Sequence, residues 1–208
     1  MNDPLILFGL HTTLFELLAF VLSVTTVALN IRQNHWAWLF AIVSSAAYGV
    51  VFFNSRLYGD AGLQLVFMIV SVWGWYSWLH GAAAGAPAAG RPHQLAVSTL
   101  DRAGWLAAGA GWLLSYLVLA WFLRSYTNTD VPHTDAFLTA GSLVGQVLLS
   151  RKKLENWHAW IVVDVLYVGL YVYKGLLLTA VLYALFVAMA VAGLLAWRRT
   201  LVPLARPA

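Results

Sequence analysis

Residues that could bind a flat, charged ligand recur at helical spacing in the segment ENWHAWIVVDVLYVGLYVYKG. They stand at i, i+4, i+7 and i+11 and share one face of an α-helix: Trp160, Asp164, Tyr167 and Tyr171. Aromatic rings stack on flat ligands, and a carboxylate in an apolar segment compensates positive charge. We therefore predict a site for a flat cation. The alternative is structural, with Asp164 protonated or bonded to a neighbouring helix and the rings serving packing.

Amide and hydroxyl groups follow the same spacing in two further apolar segments. One face carries Thr139, Ser142 and Gln146, and another carries Gln64, Ser71, Trp75 and Trp78. Such groups can bond a sugar or a carboxamide, or they can bond a neighbouring helix. We expect the hydroxyls to serve helix packing, and we leave both interpretations open for the two glutamines. The full set of predicted substrate-binding residues is Trp160, Asp164, Tyr167, Tyr171, Gln64, Trp75, Gln146, Asn156, Trp38 and Tyr48.

Motifs for covalent chemistry, metal binding and nucleotide hydrolysis are absent from the sequence. The chain has no cysteine, its six histidines lack metal-ligand spacing, and no glycine loop of the phosphate-binding type occurs. A membrane-embedded enzyme is one alternative, with His133 and Asp135 as an acid–base pair, but no nucleophile lies near them. We therefore predict no catalytic residue, no metal and no cofactor.

The elements that must position these residues are membrane-spanning helices. The chain is 62% hydrophobic and 10% charged, whereas soluble domains are about 45–50% apolar and about 25% charged. A spanning helix needs roughly 20 apolar residues. Seven segments qualify: 13–30, 36–54, 61–80, 104–123, 135–150, 157–173 and 176–197. We predict an all-α membrane protein with seven transmembrane helices, embedded in a lipid bilayer.

The basic residues divide unevenly between the two sides of this seven-span arrangement. Nine fall on one side and three on the other, the three being Arg56, Arg124 and Lys174. Basic residues concentrate in cytoplasmic loops. This places the N-terminus outside and the C-terminus in the cytoplasm, and it explains the net charge of +4 without a nucleic-acid partner.

The segments before and after the fourth span resemble each other. Each has a helix, a basic break, a Trp-rich entry (NHWAW or NWHAW), a second helix, a turn and a third helix that ends in Trp. Trp38 and Trp78 are 40 residues apart, and Trp160 and Trp197 are 37 apart. We predict a first three-helix bundle at 13–80, a linker and connecting helix at 81–123, and a second bundle at 135–197. Parallel repeats of this kind are typical of transporters, with the substrate between the repeats.

Two stretches of the chain resemble the PnuC family of bacterial vitamin transporters. These are LYGDAGLQLVFMIVSVWGWYSW (57–78) and ENWHAWIVVDVLYVGLYVYKGLLLTAVLYALF (155–186). The family's hallmarks match two series, Asp60–Gln64–Gly74–Trp75–Tyr76–Trp78 and Trp160–Asp164–Lys174–Gly175–Thr179–Tyr183. The linker at 81–102 has no such hallmark.

The resemblance implies a SWEET-like 3+1+3 fold, homotrimeric assembly and a place in the bacterial inner membrane. It also implies facilitated diffusion of nicotinamide riboside, which a cytoplasmic kinase traps by phosphorylation for NAD synthesis. Thiamine is the runner-up substrate because it is also flat and cationic, and riboflavin is third. A substrate-binding subunit driven by a separate ATPase is the remaining alternative, and the full-length repeat argues against it.

Overall fold

Seven α-helices form most of the chain in a computed structural model that describes residues 5–7, 10–12, 14–54, 58–81, 95–127, 129–173, 175 and 177–201. The predicted all-helical class is confirmed. Two short antiparallel strands, which the sequence did not predict, precede the first helix. The elements are β1 Leu5–Leu7, β2 Leu10–Thr12, α1 Leu14–Ile31, α2 Ala37–Asn54, α3 Tyr58–His80, α4 Arg102–Tyr126, α5 Pro132–Ser150, α6 Asn156–Tyr173 and α7 Leu177–Thr200.

Most helix ends lie within three residues of the predicted spans, and the starts have local causes. The Asp101 side chain accepts a 2.8 Å hydrogen bond from the backbone N–H of Gly104, which caps α4. Pro132 stands at the start of α5, where its missing N–H costs nothing. Because α3 begins earlier than predicted, Asp60 lies within a helix. The helices therefore carry one carboxylate, Asp60, beyond the three that the predicted spans contain, which are Glu16, Asp135 and Asp164.

Within the residues that the structure describes, three helical segments are long and apolar enough to cross a bilayer by length and composition. They are Gly62–His80, Arg102–Tyr126 and Thr179–Thr200, and shorter apolar stretches occur at Phe20–Ile31 and Ala37–Val50. Large apolar side chains also cover the outside, as in Leu106, Val118 and Val181, which are 63–75% exposed. Exposed apolar surface of this extent suits lipid rather than water.

The ends of α1, α3, α5 and α7 meet at one end of the bundle, here called the basic end. The indole N–H of Trp78 donates to the carbonyl of Leu149 at 3.1 Å, which joins α3 to α5. The indole N–H of Trp197 donates to the carbonyl of Asn30 at 3.1 Å, which joins α7 to α1. The described basic residues at this end are Arg32, Arg102, Arg151, Lys152, Lys153, Arg198 and Arg199. Arg124, at the end of α4, lies at the other end.

The α1–α2 and α5–α6 loops at the basic end have the same backbone geometry. Gln33 and Lys152, which are 119 positions apart, both adopt positive φ, of 54° and 48°. The backbone N–H of Gln33 donates to Asn30 at 3.0 Å, and that of Lys152 donates to Leu149 at 2.9 Å. A left-handed conformation in a residue other than glycine costs about 1–3 kcal/mol. The same costly conformation at the equivalent position of both loops is expected if the two halves are copies of one three-helix repeat.

Two tryptophan pairs follow the same shift of 119 positions. Trp38 meets Trp78, and Trp157 meets Trp197, each with ring centroids 5.4 Å apart at 88°. The sequence comparison matched Trp38 with Trp160, which is wrong by nearly one turn, since Trp157 takes the equivalent place. Both intervals are then 40 residues. This packing is compatible with the 3+1+3 arrangement, and the domain limits of 13–80, 81–123 and 135–197 stay a prediction.

The segment that leads into α4 is bound to the second half of the chain. Ser98 forms a parallel bridge with Lys153, and the backbone N–H of Leu100 donates to Glu155 Oε1 at 2.9 Å. The last part of the predicted linker at 81–102, residues 95–101, is therefore held against the second half by these bonds. The low-complexity part of the linker at 82–93 lies outside the described residues. The connecting helix α4 packs on α5, where the indole of Trp112 donates to the carbonyl of Phe137 at 3.0 Å.

Candidate functional site

Asp164 is a buried carboxylic acid near the middle of α6. Its side chain is 5% exposed, and no hydrogen bond or ion pair joins it to the residues that the structure describes. Of the two forms of the structural interpretation, the one in which Asp164 is bonded to a neighbouring helix requires such a partner, and the one in which Asp164 is protonated does not. A buried carboxyl group without a partner is costly in an apolar interior. Such a group is commonly kept where a ligand completes it.

A platform of tyrosine rings lies on the same face of α6 and extends to α7. Tyr167 and Tyr171 are stacked, with centroids 5.7 Å apart and planes at 17°. Tyr183 lies 4.7 Å from Tyr167 and 5.1 Å from Tyr171, and its electrostatic neighbours include Asp164. Tyr183 was not among the predicted site residues. Tyr183 stands 119 positions after Gln64, a predicted site residue. The shift between the two halves would therefore have indicated Tyr183 from the sequence.

The Tyr167 side chain is also held from α5. Its hydroxyl interacts electrostatically with the side chains of Thr139 and Ser142. The hydroxyl of Ser142 in turn donates to the carbonyl of Leu138 at 3.0 Å. The two hydroxyls therefore lie beside a ring of the candidate site, and their role in helix packing stays an expectation.

Trp160 lies against α5 beside Gln146. A Cβ atom on Gly145 would lie 3.1 Å from the indole of Trp160, so the ring lies directly on the α5 backbone. The amide Nε2 of Gln146 donates to the hydroxyl of Ser71 at 3.3 Å, which connects α5 to α3. Gln146 thus uses one of its donors to bond a neighbouring helix, which is one of the two interpretations that the sequence left open.

The first half of the chain contributes buried polar groups that lack a partner among the described residues. These atoms are Trp75 Nε1, Ser44 Oγ and Asn30 Oδ1. Gln64 of α3 lies beside α2, since a Cβ on Gly49 would be 3.5 Å from the Cβ of Gln64. Tyr48, another predicted site residue, directly precedes Gly49 on α2. Buried polar atoms are nearly always bonded. The orphaned donors and acceptors are therefore candidate contacts for a ligand, and Ser44 and Asn30 were not predicted.

Trp75 and Trp160 lie against one cluster of buried residues at the basic end. The cluster contains Trp38, Trp78, Trp157 and Trp197, and the first two and last two belong to different halves of the chain. Because Trp75 belongs to α3 and Trp160 to α6, this one cluster contacts candidate residues from both halves. A site between the halves is the location that parallel repeats predict.

Two predicted site residues lie within the structural core. Trp38 is 1% exposed and packs so closely on α3 that a Cβ on Gly74 would be 2.5 Å from its ring. Asn156 is fully buried at the start of α6, and its amide donates to the carbonyl of Lys153 at 2.6 Å. Their place in the substrate site stays a prediction, for which Trp38 Nε1 and Asn156 Oδ1 offer unbonded atoms.

The acid–base pair of the enzyme alternative is engaged in helix contacts. His133 Nδ1 and the hydroxyl of Tyr116 are 3.0 Å apart, and the hydroxyl of Thr129 donates to Asp135 Oδ2 at 2.7 Å. Both contacts tie the start of α5 to its neighbours. No group of three potential metal ligands occurs within the described residues.

Known proteins provide an independent comparison with this site and fold. The family model described as nicotinamide mononucleotide transporter matches residues 13–199. A riboflavin/roseoflavin transporter, RibM of Streptomyces davaonensis, is 26% identical over 94% of this chain and 90% of its own length. The nicotinamide riboside transporter PnuC of Escherichia coli is 22% identical over 77% of this chain and 74% of its own.

A solved structure agrees with these relatives. The crystal structure of the vitamin B3 transporter PnuC has a TM-score of 0.67 and 25% identity, covering 88% of this chain and 79% of that one. The family and the structural neighbour are membrane transporters, not enzymes. The family model spans most of the sequence, and the helical bundle matches that of the solved transporter. The chain therefore belongs to the nicotinamide mononucleotide transporter family, the PnuC family of vitamin transporters.

Proposed function

We propose that this vitamin transporter carries nicotinamide riboside across the bacterial cytoplasmic membrane by facilitated diffusion, feeding NAD synthesis. The observation that carries the proposal is Asp164, a buried carboxyl group with no partner among the described residues, beside a platform of tyrosine rings. Nicotinamide riboside has a flat pyridinium ring with a positive charge. A carboxylate compensates that charge, and the faces of the rings of Tyr167, Tyr171 and Tyr183 attract it.

The remaining parts of the ligand have complementary groups in the first half of the chain. A carboxamide and a ribose need donors and acceptors, which the amide of Gln64 and the free indole N–H of Trp75 supply. Gln146 keeps its carbonyl oxygen for such a bond, because only its Nε2 is used toward Ser71. A ligand between the halves would thus be bonded from both.

Riboflavin is the second candidate because a riboflavin/roseoflavin transporter is 26% identical to this chain over nearly its full length. The isoalloxazine ring is flat but neutral, so it would stack on the tyrosines without neutralising Asp164. Thiamine, the runner-up from the sequence, is flat and cationic and satisfies the same two requirements as nicotinamide riboside. The charge on the ligand therefore separates riboflavin from the other two.

Transport is expected to run downhill, with trapping by a cytoplasmic kinase and assembly as a homotrimer, as the resemblance to the family implies. The sequence contains no motif for ATP hydrolysis. The gathering of basic residues at one end of the bundle supports a C-terminus in the cytoplasm and an N-terminus outside.

Replacement of Asp164 tests the proposal. Asp164→Asn keeps the size and an accepting oxygen, so packing should change little while the affinity for nicotinamide riboside falls. The expected loss is on the order of 1–3 kcal/mol, or roughly 5- to 150-fold. The measurements are ligand titration and melting temperature on the same purified protein. Asp101→Asn is the matched control, because asparagine caps a helix as well as aspartate does.

The same titration with nicotinamide riboside, thiamine and riboflavin separates the two cationic ligands from the neutral one. Nicotinamide riboside should raise the melting temperature of the wild type with concentration, and riboflavin should not. Unchanged affinity of Asp164→Asn for the cation would remove Asp164 from the site. A shift with riboflavin alone, equal in wild type and mutant, would assign the chain to riboflavin.

A further inference from the structure

An open groove lies at the basic end, on the outside of the bundle where α3 ends. Its volume is about 260 Å³, and its lining includes Trp73, Tyr76, Ser77, His80, Leu95 and Arg151. This place is separate from the candidate vitamin site, because Trp73 and Tyr76 are exposed on α3, whereas Trp75 is turned toward the core. We call it the Arg151 groove.

The guanidinium group of Arg151 is the charged group of the groove. Its carbon lies 5.4 Å from the centroid of the Trp73 ring, so the aromatic face holds the planar cation in place. No ion pair of Arg151 occurs within the part of the chain that the structure describes. A guanidinium with a fixed plane presents its N–H groups as a fork, which fits a phosphate in two parallel hydrogen bonds.

Acidic groups that could neutralise Arg151 are scarce at the basic end. The described acids there are Asp101 and Glu155. Asp101 accepts the capping bond from Gly104, and Glu155 is 6% exposed and accepts from Leu100. Among its described residues, a second copy of this chain would therefore offer the groove few carboxylates from its own basic end, of which only Asp101 is exposed. An anionic ligand from outside the protein satisfies the charge better.

An apolar track on α3 leads away from the groove. Leu65, Ile69 and Val72 are 57–69% exposed and lie about two to four turns before His80 on the outward face. At 1.5 Å per residue, Ile69 lies roughly 16 Å from the end of the helix, well inside a hydrocarbon layer. At the end of the track the rings of Tyr76 and His80 stack 4.5 Å apart. Aromatic rings at this depth are typical of the headgroup level.

From these features we propose that the Arg151 groove binds the phosphate of an anionic phospholipid, with the acyl chains along the outward face of α3. Arg151 holds the phosphate, and the hydroxyls of Ser77 and Tyr76 are available as further donors. The combination of a cationic groove and an apolar track matches a lipid and neither a soluble anion nor a peptide. Basic pockets at the cytoplasmic side of helical bundles are suited to anionic headgroups.

The test measures melting temperature and native mass spectra of the purified full chain in a neutral detergent. Phosphatidylglycerol, phosphatidylcholine and inorganic phosphate are added separately. Phosphatidylglycerol should raise the melting temperature and remain bound in the spectra, and the other two should not. In Arg151→Gln, the half-maximal shift should need roughly ten-fold more phosphatidylglycerol. Arg151→Lys keeps the charge but loses the fork, so its shift should be intermediate.

The control is Arg199→Gln, which removes one exposed charge from the same end of the bundle. It should respond to phosphatidylglycerol like the wild type. An equal loss in both variants would mean a general attraction between the basic end and anionic lipid, and would overturn the proposal. A shift with inorganic phosphate alone would mean a soluble anion site. A shift that depends on protein concentration rather than lipid would assign the groove to a second copy of the chain.

Discussion

Lys152 shows how a single side chain connects the two halves at the basic end. It is 3% exposed, its Nζ lies 4.6 Å from the centroid of the Trp78 ring, and it donates to Gln33 Oε1 at 3.4 Å. Gln33 in turn donates from Nε2 to the hydroxyl of Thr200 at 3.2 Å. Burial lowers the pKa of Lys152 from 10.5 to about 8. The charged form is thus costly in the folded protein.

Stability should therefore depend on pH through Lys152. Below pH 8 the amine is charged in both the folded and the unfolded chain, so the cost of burial is constant. Between pH 8 and about 10.5 the folded chain releases a proton that the unfolded chain keeps, and stability rises with pH. Lys152→Met should be more stable at pH 7, by on the order of 1–3 kcal/mol, and should lose this rise.

Melting temperatures between pH 7 and 10 measure both effects. Lys153→Met is the control, because Lys153 is less buried and its Nζ donates to the carbonyl of Thr99 at 3.2 Å. A wild type and a Lys152→Met variant with parallel pH profiles would contradict this role.

Single residues could be predicted from the sequence where helical spacing and polarity coincide. Asp164, Tyr167 and Tyr171 share a face because the spacing of a helix is fixed, and the structure brings them together with Tyr183. The burial depth of a side chain could not be predicted in this way, because spacing carries no information about which neighbouring helix covers a ring. The deep packing of Trp38 on α3 and the full burial of Asn156 needed the tertiary structure.

At the scale of elements, the third helix of each half packs on the second through a glycine and a tryptophan. A Cβ on Gly193 would lie 2.5 Å from the ring of Trp157, and a Cβ on Gly74 would lie 2.5 Å from the ring of Trp38. Real Cβ contacts are not this short, so the ring or the helix would have to move. The same device in both halves sets the distance of α2 from α3 and of α6 from α7.

Gly193→Ala should therefore lower the melting temperature. Overpacking in a rigid core costs about 1–3 kcal/mol, and a large ring between two helices has little room to adjust. Gly169→Ala is the matched control, since a Cβ at Gly169 of α6 meets no atom within 4 Å. Its melting temperature should stay the same or rise slightly, as the loss of backbone freedom is smaller for alanine. Equal behaviour of the two variants would show that the close contact is not needed.

The helices themselves could be predicted from the sequence because apolar runs of about 20 residues have few other structures available to them. The position of residues 95–101, which lead into α4, could not be predicted. The bonds of this segment to Lys153 and Glu155 join residues more than 50 positions apart. The strands β1 and β2 are only three residues long, too short for a periodic pattern to predict.

At the scale of the whole molecule, the basic end fixes the expected orientation. The described basic residues other than Arg124 gather where α1, α3, α5 and α7 end, which agrees with the count made along the sequence. The sequence could predict this separation because it depends only on the number of spans. The contact of α7 with α1, through Trp197, needed the structure.

A reporter fused to the C-terminus tests the orientation. A reporter that is active only in the periplasm should stay silent, and one that is active only in the cytoplasm should give signal, because α7 ends at the basic end. Strong periplasmic activity would contradict the orientation and, with it, the seven-span topology.

Downhill uptake by the purified protein tests the proposed function most directly. Proteoliposomes that contain only this chain, without ATP or an imposed ion gradient, are given labelled nicotinamide riboside outside. Uptake should reach equal concentrations on both sides and stop, and an excess of unlabelled nicotinamide riboside should compete while riboflavin does not. Asp164→Asn should slow uptake at low substrate concentration, and Asp101→Asn should not. Concentrative uptake that collapses with an ionophore, or uptake of riboflavin in place of nicotinamide riboside, would contradict the proposal.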